Sequence, residues 1–126
     1  LTELHLSDTR VTGVGLKGLV ALKRLTRLDL GRSPVTDAGA KDLAALKSLT
    51  HLDLCDAKLT DAGVTQLGML TNLADHDLSG TKVTDAGLKD LTKLTNLTEL
   101  GLREGNGTDA GVKELQKSLP RCKITH

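Results

Sequence analysis

The chain has 126 residues, enough for one domain, and its 17 Lys+Arg against 16 Asp+Glu give a formal charge of +1, which argues against a nucleic-acid binder held by phosphate neutralisation. Phe, Tyr and Trp are all absent, so base-stacking platforms and aromatic cages are excluded, and the core must be built from aliphatics, with 27 Leu to supply it. No apolar run approaches the ~20 residues that cross a bilayer, so neither nucleic acid nor a membrane is expected as a partner.

The chain opens on Leu1, in the middle of a pattern, without an initiator methionine or a leader. The expectation is a trimmed product or a piece, with an N-terminal cap or upstream domain before Leu1. Leu1, Leu25, Leu49, Leu73 and Leu97 each begin a unit of 24 residues. The units run over 1–24, 25–48, 49–72, 73–96 and 97–118, and residues 119–126 close the single domain as a C-terminal cap. Each opens with L-x-x-L-x-L, as Leu25-Leu28-Leu30; only the fourth departs, reading Leu73-His76-Leu78. Leu28 and Leu30 alternate with Arg27 and Asp29, the period-two pattern of a short strand.

The second half of each unit carries Thr-Asp-Ala-Gly, as at Thr36 to Gly39. Ala40, Leu43 and Leu46 then recur at threes, which predicts one face of a helix. Thr36 suits its N-cap, and Asp37 sits in the first turn, where the helix dipole favours a negative charge. The pair returns as Thr60-Asp61, Thr84-Asp85 and Thr108-Asp109, whereas the first unit has Thr12-Gly13, so its helix is expected to be the weakest. A strand and a helix in every unit predict parallel strands, because each helix returns the chain to the same end. One unit cannot bury its own leucines; stacking them makes one core. At about 4.8 Å per strand, five units give a strip roughly 24 Å long. Helices are wider than strands, so the stack is expected to curve with its sheet inside.

These units, L-x-x-L-x-L-x-x-T-x-V followed by T-D-A-G-L-x-x-L-x-x-L, resemble leucine-rich repeats, most closely the helical, ribonuclease-inhibitor-like subclass found in bacterial and F-box-associated repeat proteins. The resemblance covers essentially the whole chain. It implies an α/β fold: a right-handed, curved solenoid with a parallel sheet on the concave side and helices on the convex side. Departures are His76 for Leu, Ala57 and Gly105 for the Thr or Ser of Thr9, Ser33 and Thr81, and Gly107 for Val.

At the C-terminus, Leu119 to Ile124 resembles a final strand, with Cys122 and Ile124 pointing inward, Pro120 at the strand start and Lys123 keeping the edge polar. At the other end Leu1, Leu4 and Leu6 are expected to be open, a place for end-on self-association or an upstream domain. Cys55 and Cys122 fall three strands apart, about 14 Å by strand spacing, too far for a disulfide.

Residues between the strand leucines face away from the core. One column is Glu3, Arg27, His51, Asp75 and Glu99; a second is His5, Asp29, Asp53, Asp77 and Gly101; Ser7, Gly31, Cys55, Ser79 and Arg103 lie just beyond. In leucine-rich repeat proteins this face commonly holds the partner, which makes Arg27, Asp29, His51, Asp53, Asp75, Asp77 and Glu99 the candidate binding residues. The stacked Asp29, Asp53 and Asp77 suit a basic peptide or a hard cation such as Ca2+; the alternative is a solvated column that is simply the family's default. Catalysis is not expected. His51 and Cys55 are near neighbours on an open sheet, without a sheltered cleft or oxyanion donors. Zinc would need convergent His and Cys ligands, and His51 with Asp53 or Asp75 supplies too few. No cofactor and no metal are expected.

His76 points, by period, where Leu28 and Leu52 point, so it is read as a buried neutral histidine and a pH-sensitive weak point. Lys17, Lys41, Lys89 and Lys113 alternate with Asp42, Asp90 and Glu114 on the helical face, the pattern of a solvated surface. Asn96-Leu97-Thr98 and Asn106-Gly107-Thr108 are glycosylation-type triplets, and Asn106-Gly107 also suits a turn. The resulting reading is a non-enzymatic module that binds a protein or peptide carrying basic groups through its concave sheet. The alternative is a structural unit packing end-on through its first repeat.

Overall fold

The 24-residue period places one short strand per unit in the same orientation, and the computed structural model, which describes residues 1–126, arranges them in chain order as a single parallel sheet. The strands are β1 (Glu3–His5), β2 (Arg27–Asp29), β3 (His51–Asp53), β4 (Asp75–Asp77), β5 (Glu99–Gly101) and β6 (Lys123–Thr125). Helices α1 (Asp37–Leu43), α2 (Asp61–Leu67), α3 (Asp85–Leu91) and α4 (Asp109–Ser118) connect them from β2 onward. The register repeats without slippage: Leu4, Leu28, Leu52, His76, Leu100 and Ile124 form one inward row. Such a row is pinned because a one-residue slip would turn every leucine outward. The result is an α/β leucine-rich solenoid with one continuous aliphatic core, from Leu25 to Cys122. No helix is long and apolar enough to cross a membrane.

The first unit does form the weakest helix. Between β1 and β2 the chain makes only a 3₁₀ turn, Leu16–Ala21, with no buried residue and no side-chain cap. The expected helical face of the second unit is shorter than its periodicity implies. The helix ends at Leu43, and Leu46, though 2% exposed, lies in the turn beyond it. There the Leu46 N–H bonds to the Leu43 carbonyl, three residues back, which tightens the last turn and redirects the chain toward β3. Pro120 also differs from expectation: it sits in the turn after α4, and β6 begins only at Lys123. Cys122 is buried, Ile124 half-buried, and both cysteines are free.

The Thr-Asp-Ala-Gly segment does more than cap its own helix. Asp37 accepts from the Thr60 N–H at 2.9 Å and the Thr60 hydroxyl at 2.6 Å. Asp61 holds Thr84 in the same way, at 2.7 and 2.6 Å, and Asp85 holds Thr108, at 2.7 and 2.6 Å. Each carboxylate therefore clamps the helix entry of the next unit. The Thr108 bonds pull the Asp85 carboxyl below the usual carboxylate range. The glycine of the motif is required by this approach. A Cβ on Gly63 would strike the Asp37 carboxylate, one on Gly87 that of Asp61, and one on Gly111 that of Asp85. Thr36, Thr84 and Thr108 also accept from backbone N–H groups of their own helices, but Thr60 caps nothing with its side chain. At the first junction Gly13 replaces the aspartate, and the Thr36 N–H donates instead to the Thr12 carbonyl at 3.1 Å.

A second regular feature is a left-handed backbone position eight residues into each unit, at Asp8, Arg32, Asp56, Gly80 and Glu104, with φ between 55° and 72°. Only the fourth unit uses glycine there. Arg32 and Asp8 hold each other across adjacent turns through a two-pronged pair, Nε to Oδ1 at 2.7 Å and Nη2 to Oδ2 at 2.6 Å. That pair lowers the Asp8 pKa and raises that of Arg32.

The clamp makes a signed prediction. Alanine normally improves on glycine in a helix by ~1 kcal/mol, yet Gly87→Ala is expected to cost about 1–3 kcal/mol, because its methyl group collides with Asp61 and with Val83 Cγ1. Gly18→Ala, which meets open space, should not destabilise. Urea-denaturation midpoints of the two variants check both signs.

Candidate functional site

The alternation within each strand leaves one face of the sheet free of helices, and the register arranges its side chains in columns. Glu3, Arg27, His51, Asp75, Glu99 and Lys123 lie side by side, as do His5, Asp29, Asp53, Asp77, Gly101 and Thr125. A shallow depression of about 310 Å³ crosses β1 to β4 between these columns. All seven candidate residues, Arg27, Asp29, His51, Asp53, Asp75, Asp77 and Glu99, therefore sit on one surface.

Their surroundings divide them. On the first two strands basic side chains lie beside the acids: Arg27 Nε lies 3.4 Å from Glu3 Oε1, and the His5 imidazole Nδ1 lies 3.5 Å from Asp29 Oδ2. On β3 to β5 the carboxylates of Asp53, Asp75, Asp77 and Glu99 take part in no ion pair. His51 turns to its neighbour, with Nδ1 2.8 Å from Thr50 Oγ1.

The aspartate column has a structural duty that sequence reading missed. Oδ1 of Asp29, Asp53 and Asp77 accepts the N–H two residues on, at Gly31, Cys55 and Ser79, over 3.0, 2.9 and 2.8 Å. These side chains end their strands and start the turn. The signal was present in the shared two-residue offset from aspartate to the first turn residue. Gly101 breaks the column, and a side chain there would run into Asp77. Asp75 and Glu99 carry no such bond.

No group of three or more His, Cys, Asp or Glu side chains converges as a metal-ligand set. Cys55 is half-buried beside Asp53, and burial first, then the hydrogen bond and charge of Asp53, push its thiol up to about 11. It is a thiol and not a thiolate at neutral pH, which leaves it a weak nucleophile. Burial likewise raises the Cys122 thiol.

Behind this face, His76 occupies the inward row at 0% exposure. Its Nδ1 donates to the Leu52 carbonyl at 2.9 Å, and its Nε2 is buried without a partner. Burial lowers its pKa, outweighing the opposing pull of the Leu52 carbonyl and of Asp77, Asp53 and Asp75.

The leucine-rich repeat family model matches residues 1–20, 23–44 and 45–68, more than half of the chain. The chain belongs to the leucine-rich repeat family. It is similar in structure to a leucine-rich repeat protein of Leptospira interrogans, with a TM-score of 0.79 and 24% identity over all of this chain and 31% of the other. It is also similar to two internalins of Listeria monocytogenes. One has a TM-score of 0.68 and 20% identity, with 41% of its length covered; internalin C2 has a TM-score of 0.68 and 25% identity, with 61% covered. This chain is covered in full in both cases, and it spans less than two thirds of any of the three. No curated protein matches it in sequence.

The depressed pKa of His76 sets a pH window. The unfolded chain binds the proton near pH 6.5, whereas the folded core resists it, so stability is complete above that value and declines as pH falls below it. The decline approaches about 1.4 kcal/mol per pH unit until the folded-state pKa is reached. His76→Leu should therefore raise the melting temperature more at pH 5 than at pH 7.5, as read by thermal denaturation at both values.

Proposed function

We propose that this leucine-rich repeat domain is a non-enzymatic interaction module whose open sheet face binds a protein or peptide. Arg27, Asp29, His51, Asp53, Asp75, Asp77 and Glu99 line the contact, and basic groups of the partner lie over β3 to β5. Leucine-rich repeat domains generally mediate protein–protein interaction. The observation that carries the finer reading is the distribution of ion pairs: Glu3 pairs with Arg27, while Asp53, Asp75, Asp77 and Glu99 take part in none, although Lys123 lies beside Glu99 in the register. Four carboxylates on a stiff surface favour a cationic partner with little ordering cost on the module's side. The protonated Cys55 thiol and the open sheet favour binding over catalysis. The repeat pattern L-x-x-L-x-L followed by T-D-A-G supports the ribonuclease-inhibitor-like subclass, with units at 1–24, 25–48, 49–72, 73–96 and 97–118 and a cap at 119–126.

A second reading rests on the first unit. Leu1 is 67% exposed, whereas Leu25, Leu49, Leu73 and Leu97 are at most 3% exposed. Val14 and Val20 are also open. This apolar end fits end-on packing against another copy or an upstream domain.

Charge reversal separates the two. Asp75→Lys with Glu99→Lys alters the face without touching the strand-ending bonds that Asp29, Asp53 and Asp77 make. The double variant should keep the parental melting temperature and lose roughly tenfold in affinity for Lys/Arg-rich peptides, ~1.4 kcal/mol, with binding that weakens as salt rises. Unchanged affinity, measured by titration calorimetry, would reject the sheet face. Concentration-dependent sedimentation that Leu1→Glu and Val20→Glu abolish would favour the end-on reading.

A further inference from the structure

The loop that precedes α4 differs from its counterparts in its anchoring and in its ties to the preceding unit, and both bear on one covalent reaction. In the second, third and fourth units the equivalent of Gly107 is Val35, Leu59 and Val83, each at most 3% exposed. These loops are tied to their predecessors: the Lys58 N–H donates to the Val35 carbonyl at 2.8 Å and the Lys82 N–H to the Leu59 carbonyl at 3.0 Å. The ladder stops there. Asn106 is exposed, and neither its N–H nor that of Gly107 has a backbone acceptor. Gly107 has no side chain to anchor the loop.

The chain has three asparagines, and the other two are internal controls. Asn72 Nδ2 donates to the Lys47 carbonyl at 3.0 Å, and Asn96 Nδ2 to the Thr71 carbonyl at 2.9 Å. Each is followed by a buried leucine, Leu73 or Leu97, whose N–H is bonded to the carbonyl three residues back. Their carboxamides are held, and the amides that would have to attack them are occupied and crowded. Asn106 has a free carboxamide, a free following amide and no Cβ in the way.

We infer that Asn106-Gly107 is a site of spontaneous deamidation in the folded protein. The Gly107 amide nitrogen gives up its proton and attacks Asn106 Cγ. The new C–N bond closes a succinimide, the Cγ–Nδ2 bond breaks, and the nitrogen leaves as ammonia carrying the proton. Water then opens the ring: attack at the side-chain carbonyl breaks its bond to nitrogen and gives aspartate, while attack at the main-chain carbonyl leaves the chain joined through Cγ, an isoaspartyl link. No oxidant or reductant takes part. The product adds one negative charge, cancelling the formal +1 of the chain. The isoaspartyl form also lengthens the backbone two residues ahead of Thr108, whose N–H and hydroxyl Asp85 holds. The reaction therefore acts on the last inter-unit clamp.

The test is incubation of the folded chain at mildly alkaline pH and 37 °C, followed by proteolysis and mass spectrometry of the peptides containing the three asparagines. The expected result is a growing fraction of the Asn106 peptide with –NH2 replaced by –OH, split into aspartyl and isoaspartyl forms, while the Asn72 and Asn96 peptides stay unchanged. The rate should rise with pH, since attack needs the deprotonated amide. Gly107→Val should suppress the reaction, and Asn106→Gln should remove it. If Asn106 stays intact in the folded chain but reacts in urea, the fold protects the site and the inference fails. It fails equally if Asn72 or Asn96 reacts as fast, or if Gly107→Val leaves the rate unchanged.

Discussion

The stacking of α1 to α4 depends on a carboxylate that belongs to one unit and serves the next. Asp37, Asp61 and Asp85 each take a backbone N–H and a hydroxyl from the threonine that starts the following helix. A helix of seven residues has little stability of its own, and its entry carries unpaired N–H groups. The clamp answers part of that demand from outside the helix at α2, α3 and α4. α1 forms without it, its entry held by the Thr36 side chain and the Thr12 carbonyl. The first unit has Gly15 at its helix entry, no side-chain cap and no aspartate in its first turn, and it makes only a 3₁₀ turn. The glycines follow from the same contact, since the carboxylate occupies the volume where a Cβ would sit.

The two sides of the sheet face opposite demands. Inward, the row of leucines tolerates one exception, His76, whose Nδ1 reaches the Leu52 carbonyl while Nε2 goes without a partner. A buried polar atom of this kind costs stability that leucine would not. Outward, the same strand presents Asp75 and Asp77, so the fourth unit is at once the least apolar inside and among the most acidic outside. The core therefore has a polar interruption on the strand that carries Asp75 and Asp77 on its outer face.

Much of the fold was legible because its signals repeat. Five leucine sextets in register leave one arrangement for the strands, and the shared Thr-Asp-Ala-Gly predicts where helices start. The lengths of those helices were not legible. Leu46 keeps the helical spacing yet lies beyond the helix, because a buried turn residue and a helical residue satisfy the same periodicity. Pro120 was misplaced for a related reason: an apolar run before a strand looks like the strand itself. On the open face, sequence alone assembled the columns correctly, since period two decides which side chains share a side. It could not show that the Asp29, Asp53 and Asp77 carboxylates each bind a turn N–H, or that Asp37 reaches a threonine 23 residues away. Those bonds depend on side-chain direction, which spacing does not encode.

The left-handed position shared by Asp8, Arg32, Asp56, Gly80 and Glu104 sets a rule for how such a protein changes its length. The clamps between neighbours recur at one fixed offset, 23 residues, from unit to unit. A single inserted residue would put the wrong side chain at the left-handed corner and carry the next threonine out of reach of its aspartate. A whole inserted unit would leave every link as it was. The binding surface can therefore be widened strip by strip through duplication, while the core is never redesigned. Growth by quanta lets variation concentrate on the outward columns, where each added strand brings two new side chains and no new packing problem.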